Sequence, residues 1–111
     1  MTAEQFKVSL GSPEQRFADT LAFIEQHYHY QPSAFSNGPV RNSAEQNQGS
    51  CKALAMALDQ GLTDAQALQC FAEHYQSVLA SPHGIEHANI RALLKQGLAG
   101  VSFDRQPLTR R

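Results

Sequence analysis

Apolar residues recur every three or four positions over most of the chain, and this spacing predicts helices. A short helix is predicted from Ala3 to Leu10. A long helix is predicted over residues 12–28, because Ser12 can cap it, Pro13 suits its first position and Gln15 completes a capping box. Both helices present an apolar face, so we expect them to pack on one core.

The second half of the chain contains three further apolar patterns of helical period. One helix is predicted to begin near Cys51 and end at Gly61. Another should follow the cap residue Thr63 and continue to Leu79, and the last should run from about Glu86 to Gln96. The pattern therefore predicts about five helices in total.

Between residues 28 and 42 the helical period is lost. Pro32 blocks a helix, and the pair Asn37-Gly38 is typical of a tight turn. The segment "AGVSF" near the C-terminus is a candidate strand that could lie beside this region. The predicted fold is mainly α (α+β): about five helices around one core, a small extended or β-hairpin element near residues 28–42, and a short C-terminal strand.

Composition narrows the classes of protein to which the chain can belong. Its 111 residues are 41% hydrophobic and 17% charged, which predicts one folded domain over residues 1–111. The net charge is -1 and the pI is near 6.5, so no nucleic acid or membrane partner is expected. The N-terminus lacks the pattern of a Sec signal peptide, and no stretch is long and apolar enough for a transmembrane segment. We expect a cytoplasmic protein with reduced thiols and a frayed tail over residues 105–111, and type III export stays open.

Short polar motifs occur in a fixed order along the chain. They are "FSNG" at 35–38, "GSCK" at 49–52, "EHANIR" at 86–91 and "QGLAG" at 96–100. Over nearly the whole chain this order resembles the HopJ type III effector family, although Glu86 and Leu98 stand where that family's pattern has Asp and Trp. The resemblance implies a single HopJ-like domain in a small bacterial protein, with no established biochemical activity. It favours a type III secretion effector or a module that binds a partner.

Cys51 has two readings. At a helix N-terminus the partial positive charge favours the thiolate, and Lys52 adds a full charge, so Cys51 could be the nucleophile of an acyl transferase or hydrolase. His87 would then be the catalytic base, with Asn89 or Asn47 orienting it. The alternative is that Cys51 belongs to the apolar stripe of its helix and is a buried core residue. The sequence leaves both readings open.

A binding site is the second chemical hypothesis. His87 and Arg91 lie one helical turn apart, a spacing that suits recognition of a carboxylate or phosphate. We expect the polar segment 42–52 to meet the last helix and form a site for a small anionic ligand or a protein partner. The candidate ligand-binding residues are Asn47, Ser50, Lys52, Asn89 and Arg91. The alternative is structural: Arg91 pairs with Glu86, and the amides of the polar run cap the helix.

Metal-binding residues are too sparse to predict a metal site. His83 and His87 are four residues apart, as are Cys70 and His74, but each pair lacks further ligands at metal-binding spacing. No metal and no cofactor are expected.

Overall fold

The computed structural model describes residues 1–111 and shows an α+β fold. The six helices are α1 (Ala3–Ser9), α2 (Phe17–His27), α3 (Gln48–Asp59), α4 (Asp64–Gln69), α5 (Glu73–Ala80) and α6 (Ala88–Gln96). The five strands are β1 (Tyr28–Tyr30), β2 (Phe35–Asn37), β3 (Val40–Asn42), β4 (Val101–Phe103) and β5 (Leu108–Arg110). A single 3-10 turn, Leu98–Gly100, joins α6 to β4. None of the helices combines the length and hydrophobicity needed to cross a bilayer.

Helix α3 is the central element of the core. All residues from Ala53 to Ala57 are buried, so the helix is covered on most of its circumference rather than along one stripe. Helices α2 and α4 and strand β5 pack against it. The side chain of Met56 is fully buried. This central position explains why α3 is rich in alanine, whose small side chain lets its neighbours approach closely.

The strands form two small antiparallel sheets, one with the order β3-β2-β4 and one that pairs β1 with β5. Strands β2 and β3 make a hairpin in which Asn37 pairs with Val40. Gly38 occupies the turn with φ 57°, a conformation that glycine adopts without steric cost. The predicted extended element and the predicted C-terminal strand are both confirmed, because β4 pairs with β2.

Helix α2 begins at Phe17, so the predicted start at Ser12 is wrong. Gln15 is buried, and its side-chain oxygen accepts a hydrogen bond from the N–H of Gly11 rather than completing a capping box with Ser12. At the observed start, the carboxylate of Glu73 accepts a hydrogen bond from the N–H of Phe17, with a nitrogen–oxygen distance of 2.6 Å. This contact across 56 residues of sequence and the local bond from the N–H of Arg16 to Asp19 at 3.0 Å together stabilise the helix start.

The single helix predicted after Thr63 is divided into α4 and α5. Ala72 adopts a positive φ of 49° between them. The hydroxyl of Thr20 in α2 donates to the carbonyl of Cys70 at 2.7 Å, and the N–H of His74 bonds to Phe71 rather than to Cys70. A tertiary hydrogen bond thus replaces a helical one at the break.

The start of the last helix and the C-terminal tail also differ from the prediction. Helix α6 begins at Ala88, because His87 has a left-handed backbone conformation. The tail is not frayed: Leu108 is 5% exposed, and Arg110 contacts Asp59 at 2.8 Å. The tail is ordered because Leu108 fills part of the core and β5 pairs with β1.

Candidate functional site

Four asparagine side chains join the β2–β3 hairpin to helices α3 and α6. The side-chain oxygen of Asn42 accepts hydrogen bonds from Asn47 at 2.7 Å and from Asn89 at 3.0 Å. The side-chain oxygen of Asn89 accepts from Asn37 and Asn42, each at 3.2 Å. Asn37, Asn42 and Asn89 are buried, so these bonds replace water and fix the relative positions of the three elements.

Helices α3 and α6 both begin with a residue of positive φ, Asn47 at 52° and His87 at 57°. Neither residue makes a side-chain capping bond, whereas Thr2 and Thr63 cap α1 and α4. The first N–H groups of α3 and α6 therefore have no side-chain acceptor. Such groups carry the partial positive charge of a helix N-terminus.

A cleft of about 420 Å³ lies between the starts of these two helices, and we call it the helix-start cleft. Its lining residues come from both helix starts and from an aromatic wall: Phe17, Asn47, Gly49, Ser50, Phe71, His74, Ile85, His87, Ala88, Asn89 and Ile90.

The aromatic wall is built from rings in mutual contact. The rings of Phe17 and Phe71 stack with centroids 5.6 Å apart, and His74 meets Phe17 edge-on at 5.2 Å. The ring of His87 lies 5.1 Å from that of His74. The cleft thus combines two imidazoles, apolar rings and backbone N–H donors, a mixture typical of ligand sites.

Four of the residues singled out in the sequence line the helix-start cleft together: Asn47, Ser50, His87 and Asn89. The polar segment before Cys51 therefore does meet the start of the last helix. Asn89 lies beneath the surface of the cleft, since it is 4% exposed and its side-chain oxygen accepts hydrogen bonds from Asn37 and Asn42.

Arg91 and Lys52 lie outside the cleft lining. The guanidinium of Arg91 bonds to the carboxylate of Glu86 at 2.8 Å and to the carbonyl of the same residue at 2.7 Å. It therefore holds the loop before α6, as in the structural alternative. The ammonium of Lys52 lies 4.7 Å from the ring centroid of Tyr30, on a different surface.

Cys51 is also absent from the cleft lining, and it is 1% exposed. Its thiol points to the carbonyl of Ser33, with a sulfur–oxygen distance of 3.7 Å. Burial raises the pKa of the Cys51 thiol, although the contacts with Ser33 and Tyr30 and the charge of Lys52 act in the opposite direction. The environment therefore favours the neutral thiol and not the thiolate.

Sequence reasoning did not connect Phe17, Phe71, His74 or Ile85 with a site. The sequence holds one signal, since Ile85 is a lone large apolar residue in the turn-forming stretch "SPHGIEH". In the structure it is 91% exposed. The sequence suggests His74 only as a metal-binding partner of Cys70, but Cys70 is fully buried in the core while His74 faces the cleft. No group of three or more histidine, cysteine, aspartate or glutamate residues is arranged to hold a metal ion.

The chain is similar to a known family and to a known structure. The family model described as HopJ type III effector protein matches residues 3–108. The crystal structure of VPA0580, a protein of unknown function, superposes with a TM-score of 0.92 at 37% sequence identity, covering 100% of this chain and 95% of that one. No curated protein matches.

Proposed function

Because the chain belongs to the HopJ type III effector protein family, we propose that it is a binding module whose helix-start cleft takes a ligand carrying a phosphate or carboxylate group. Membership of that family also supports export of the protein by a type III secretion system. The ligand is either a free metabolite or an acidic group on a partner protein, since both present the same chemistry to the cleft.

One observation carries this proposal: helices α3 and α6 start at the same cleft without a side-chain cap. Gly49 and Ser50 from one helix and Ala88 from the other line the space between the two starts. An anion there would accept hydrogen bonds from backbone N–H groups and interact favourably with both helix dipoles. His74 and His87 add imidazole N–H donors to the lining.

The rest of the lining indicates the body of the ligand. Phe17 and Phe71 form a stacked aromatic wall, and Ile85 contributes an exposed apolar side chain at the rim. A ligand with a flat apolar part beside its anionic group would contact both types of surface. Burial of that part would add to the binding free energy at about 25 cal/mol per Å² of apolar area.

Phenyl phosphate is a suitable probe, because it combines a ring with a phosphate. We expect it to shift the backbone amide signals of Gly49, Ser50 and Ala88 in two-dimensional NMR spectra. Inorganic phosphate should shift the same signals more weakly, and benzyl alcohol, which has no charge, should leave them nearly unchanged. Equal shifts with benzyl alcohol, or no shifts with phenyl phosphate at millimolar concentration, would refute the anion site.

Ser50→Asp tests the same site from the protein side. The new carboxylate would occupy the start of α3, where it interacts favourably with the helix dipole, so the fold should be retained. It should nevertheless repel the phosphate and remove binding. Thr109→Asp, at an exposed position of β5 that does not line the cleft, is the matched control and should bind as the unmodified protein does.

Arg91→Ala tests whether Arg91 contacts the ligand, as its spacing from His87 suggests. Arg91 is engaged by Glu86 and lines a groove on the other side of the loop. We expect the variant to keep most of its affinity for phenyl phosphate. Loss of binding as complete as in Ser50→Asp would instead give Arg91 a direct role.

Catalysis by Cys51 with His87 as base has less support. The thiol is 1% exposed, burial raises its pKa, and it does not line the cleft that contains His87. A nucleophile must reach its substrate as a thiolate, and both conditions are disfavoured at this position.

A further inference from the structure

A second groove, of about 420 Å³, runs along strand β4 on a different part of the surface. All three residues of β4 line it, together with Ala55 and Leu58 of α3 and the segment 105–108. Successive side chains of a strand point to opposite faces, so a groove that touches three in a row follows the edge of the strand and not one face. The groove therefore lies along the outer edge of the β3-β2-β4 sheet.

The backbone of β4 is open toward this groove. The N–H of Asp104 bonds to Ala34, and the N–H of Gly38 bonds to Gly100, so the bonded pairs with β2 fall at even-numbered positions of β4. Because antiparallel bonding alternates along a strand, the N–H and C=O groups of Val101 and Phe103 point away from β2. The N–H of Val101 donates a hydrogen bond to the carbonyl of Leu98. The N–H and the carbonyl of Phe103 have no partner within the protein and can bond to another chain.

A side chain partly blocks the free edge of strand β5, whereas no side chain bonds to the outer edge of β4. The side-chain amide of Gln106 donates to the carbonyl of Leu108 at 2.9 Å, which occupies an acceptor on the free edge of β5. Proteins commonly block exposed strand edges to prevent unwanted pairing. On the edge of β4 only the N–H of Val101 is occupied, so three of the four outward backbone groups of Val101 and Phe103 stay open. The groove beside them has an apolar floor that includes Leu58, which is 43% exposed.

The charge of the groove indicates what kind of chain would fit. The carboxylate of Asp59 is neutralised by Arg110 at 2.8 Å. The guanidinium of Arg105 is exposed and has no ion-pair partner within the protein. The uncompensated charge beside the edge is therefore positive.

We propose that the outer edge of β4 binds an extended segment of a partner protein in which apolar and acidic residues alternate. The segment adds a strand beside β4, and its backbone bonds to the carbonyl of Val101 and to the N–H and carbonyl of Phe103. Its apolar side chains cover Leu58, and a carboxylate meets Arg105. This surface is separate from the helix-start cleft and does not depend on it. A second copy of the chain fits less well, because the acidic residue next to β4, Asp104, is already paired with Arg41 at 2.7 Å.

A seven-residue peptide of alternating glutamate and valine, blocked at both ends, is the probe for this edge. Titration into the full-length protein should shift the NMR signals of Val101, Ser102 and Phe103 and slow hydrogen exchange at the Phe103 amide. N-methylation of one set of amides, either all the valines or all the glutamates, should abolish the shifts, whereas N-methylation of the other set should leave them, since only one set faces β4. The proposal is overturned if the peptide causes no shifts at millimolar concentration or if neither methylated form differs from the parent.

Three comparisons test the surface itself. Leu58→Asp should weaken binding of the peptide about tenfold or more, through lost apolar contact and added negative charge. Leu79→Asp, at a similarly exposed leucine on α5, should have no effect. A peptide with lysine in place of glutamate should bind more weakly than the parent, and equal binding would contradict the role of Arg105. Self-association that blocks the peptide, seen by analytical ultracentrifugation, would overturn the choice of partner in favour of a second copy.

Discussion

Asn42 and Asn89 exchange side-chain hydrogen bonds in both directions, at 3.0 Å from Asn89 to Asn42 and at 3.2 Å from Asn42 to Asn89. The two residues are 47 positions apart in sequence, and the pair joins strand β3 to helix α6. Asn47, the first residue before α3, bonds to the same oxygen of Asn42. This pair therefore ties the starts of both helices of the cleft to the β2–β3 hairpin.

Replacing Asn89 by alanine should destabilise the protein by about 1–3 kcal/mol, because it leaves the buried amides of Asn37 and Asn42 with fewer partners. Urea denaturation measures the change in the free energy of unfolding. Gln76→Ala, at an exposed position of α5, is the control and should stay within about 0.5 kcal/mol. In a double-mutant cycle, Asn42→Ala and Asn89→Ala should be non-additive by at least about 0.5 kcal/mol. Simple additivity would mean that the two side chains do not act together.

The native thiols should resist modification. Cys51 and Cys70 are each no more than 1% exposed, so a thiol reagent should label them only after denaturant is added, from pH 6 to pH 9. Ser50→Cys in a Cys51→Ala background is the informative comparison, since residue 50 lines the cleft and should react readily. Fast labelling of Cys51 in the folded protein would revive the catalytic hypothesis.

Stability should fall at alkaline pH. Burial raises the pKa of Cys70 from 9.0 to about 12, and it also raises the pKa of Cys51. For Cys70, the unfolded chain loses its proton above about pH 9, whereas the folded protein keeps it up to about pH 12. The free energy of unfolding therefore decreases as pH rises through this window. Each thiol contributes at most about 1.4 kcal/mol per pH unit in this window.

Measurement of the urea midpoint in a reducing buffer checks the sign and the source of this effect. Cys70→Ala should be less stable at pH 7 but should lose less stability between pH 9 and pH 11 than the unmodified protein. An identical pH dependence in both proteins would show that Cys70 does not cause it. Tyr30, whose pKa burial raises to about 12, should account for part of the remaining slope.

The C-terminal strand should be essential for stability. Leu108 is 5% exposed, and Leu108→Ala should cost about 2–5 kcal/mol because it leaves a cavity in the core. Leu79→Ala, at a leucine that is 49% exposed, should cost less than about 1 kcal/mol. Thermal or urea denaturation compares the two. Equal costs would mean that the tail contributes little, as the sequence had suggested.

Local signals in the sequence were reliable only where no tertiary contact opposed them. Thr63 and Gln66 form the predicted capping box, with Thr63 accepting the N–H of Gln66 at 3.1 Å. Ser12 and Gln15 have the same spacing, but Gln15 is drawn into the protein and its helix starts later. A capping box contributes about 1 kcal/mol, and here the side chain of Gln15 bonds to the N–H of Gly11 instead.

The sequence by itself determined the family, the α+β class, the central helix α3 and the two polar segments that meet at the cleft, because periodicity and motif order are properties of the chain. Only the tertiary structure decided what each side chain faces. Ser50 and Cys51 are neighbours, yet Ser50 lines the cleft and Cys51 lies in the core, since successive helix residues point about 100° apart. The apolar stripe identified the helix face that includes Cys51. The packing of α6 and the aromatic wall against the start of α3 determined that the adjoining face, and not the thiol, borders the cleft.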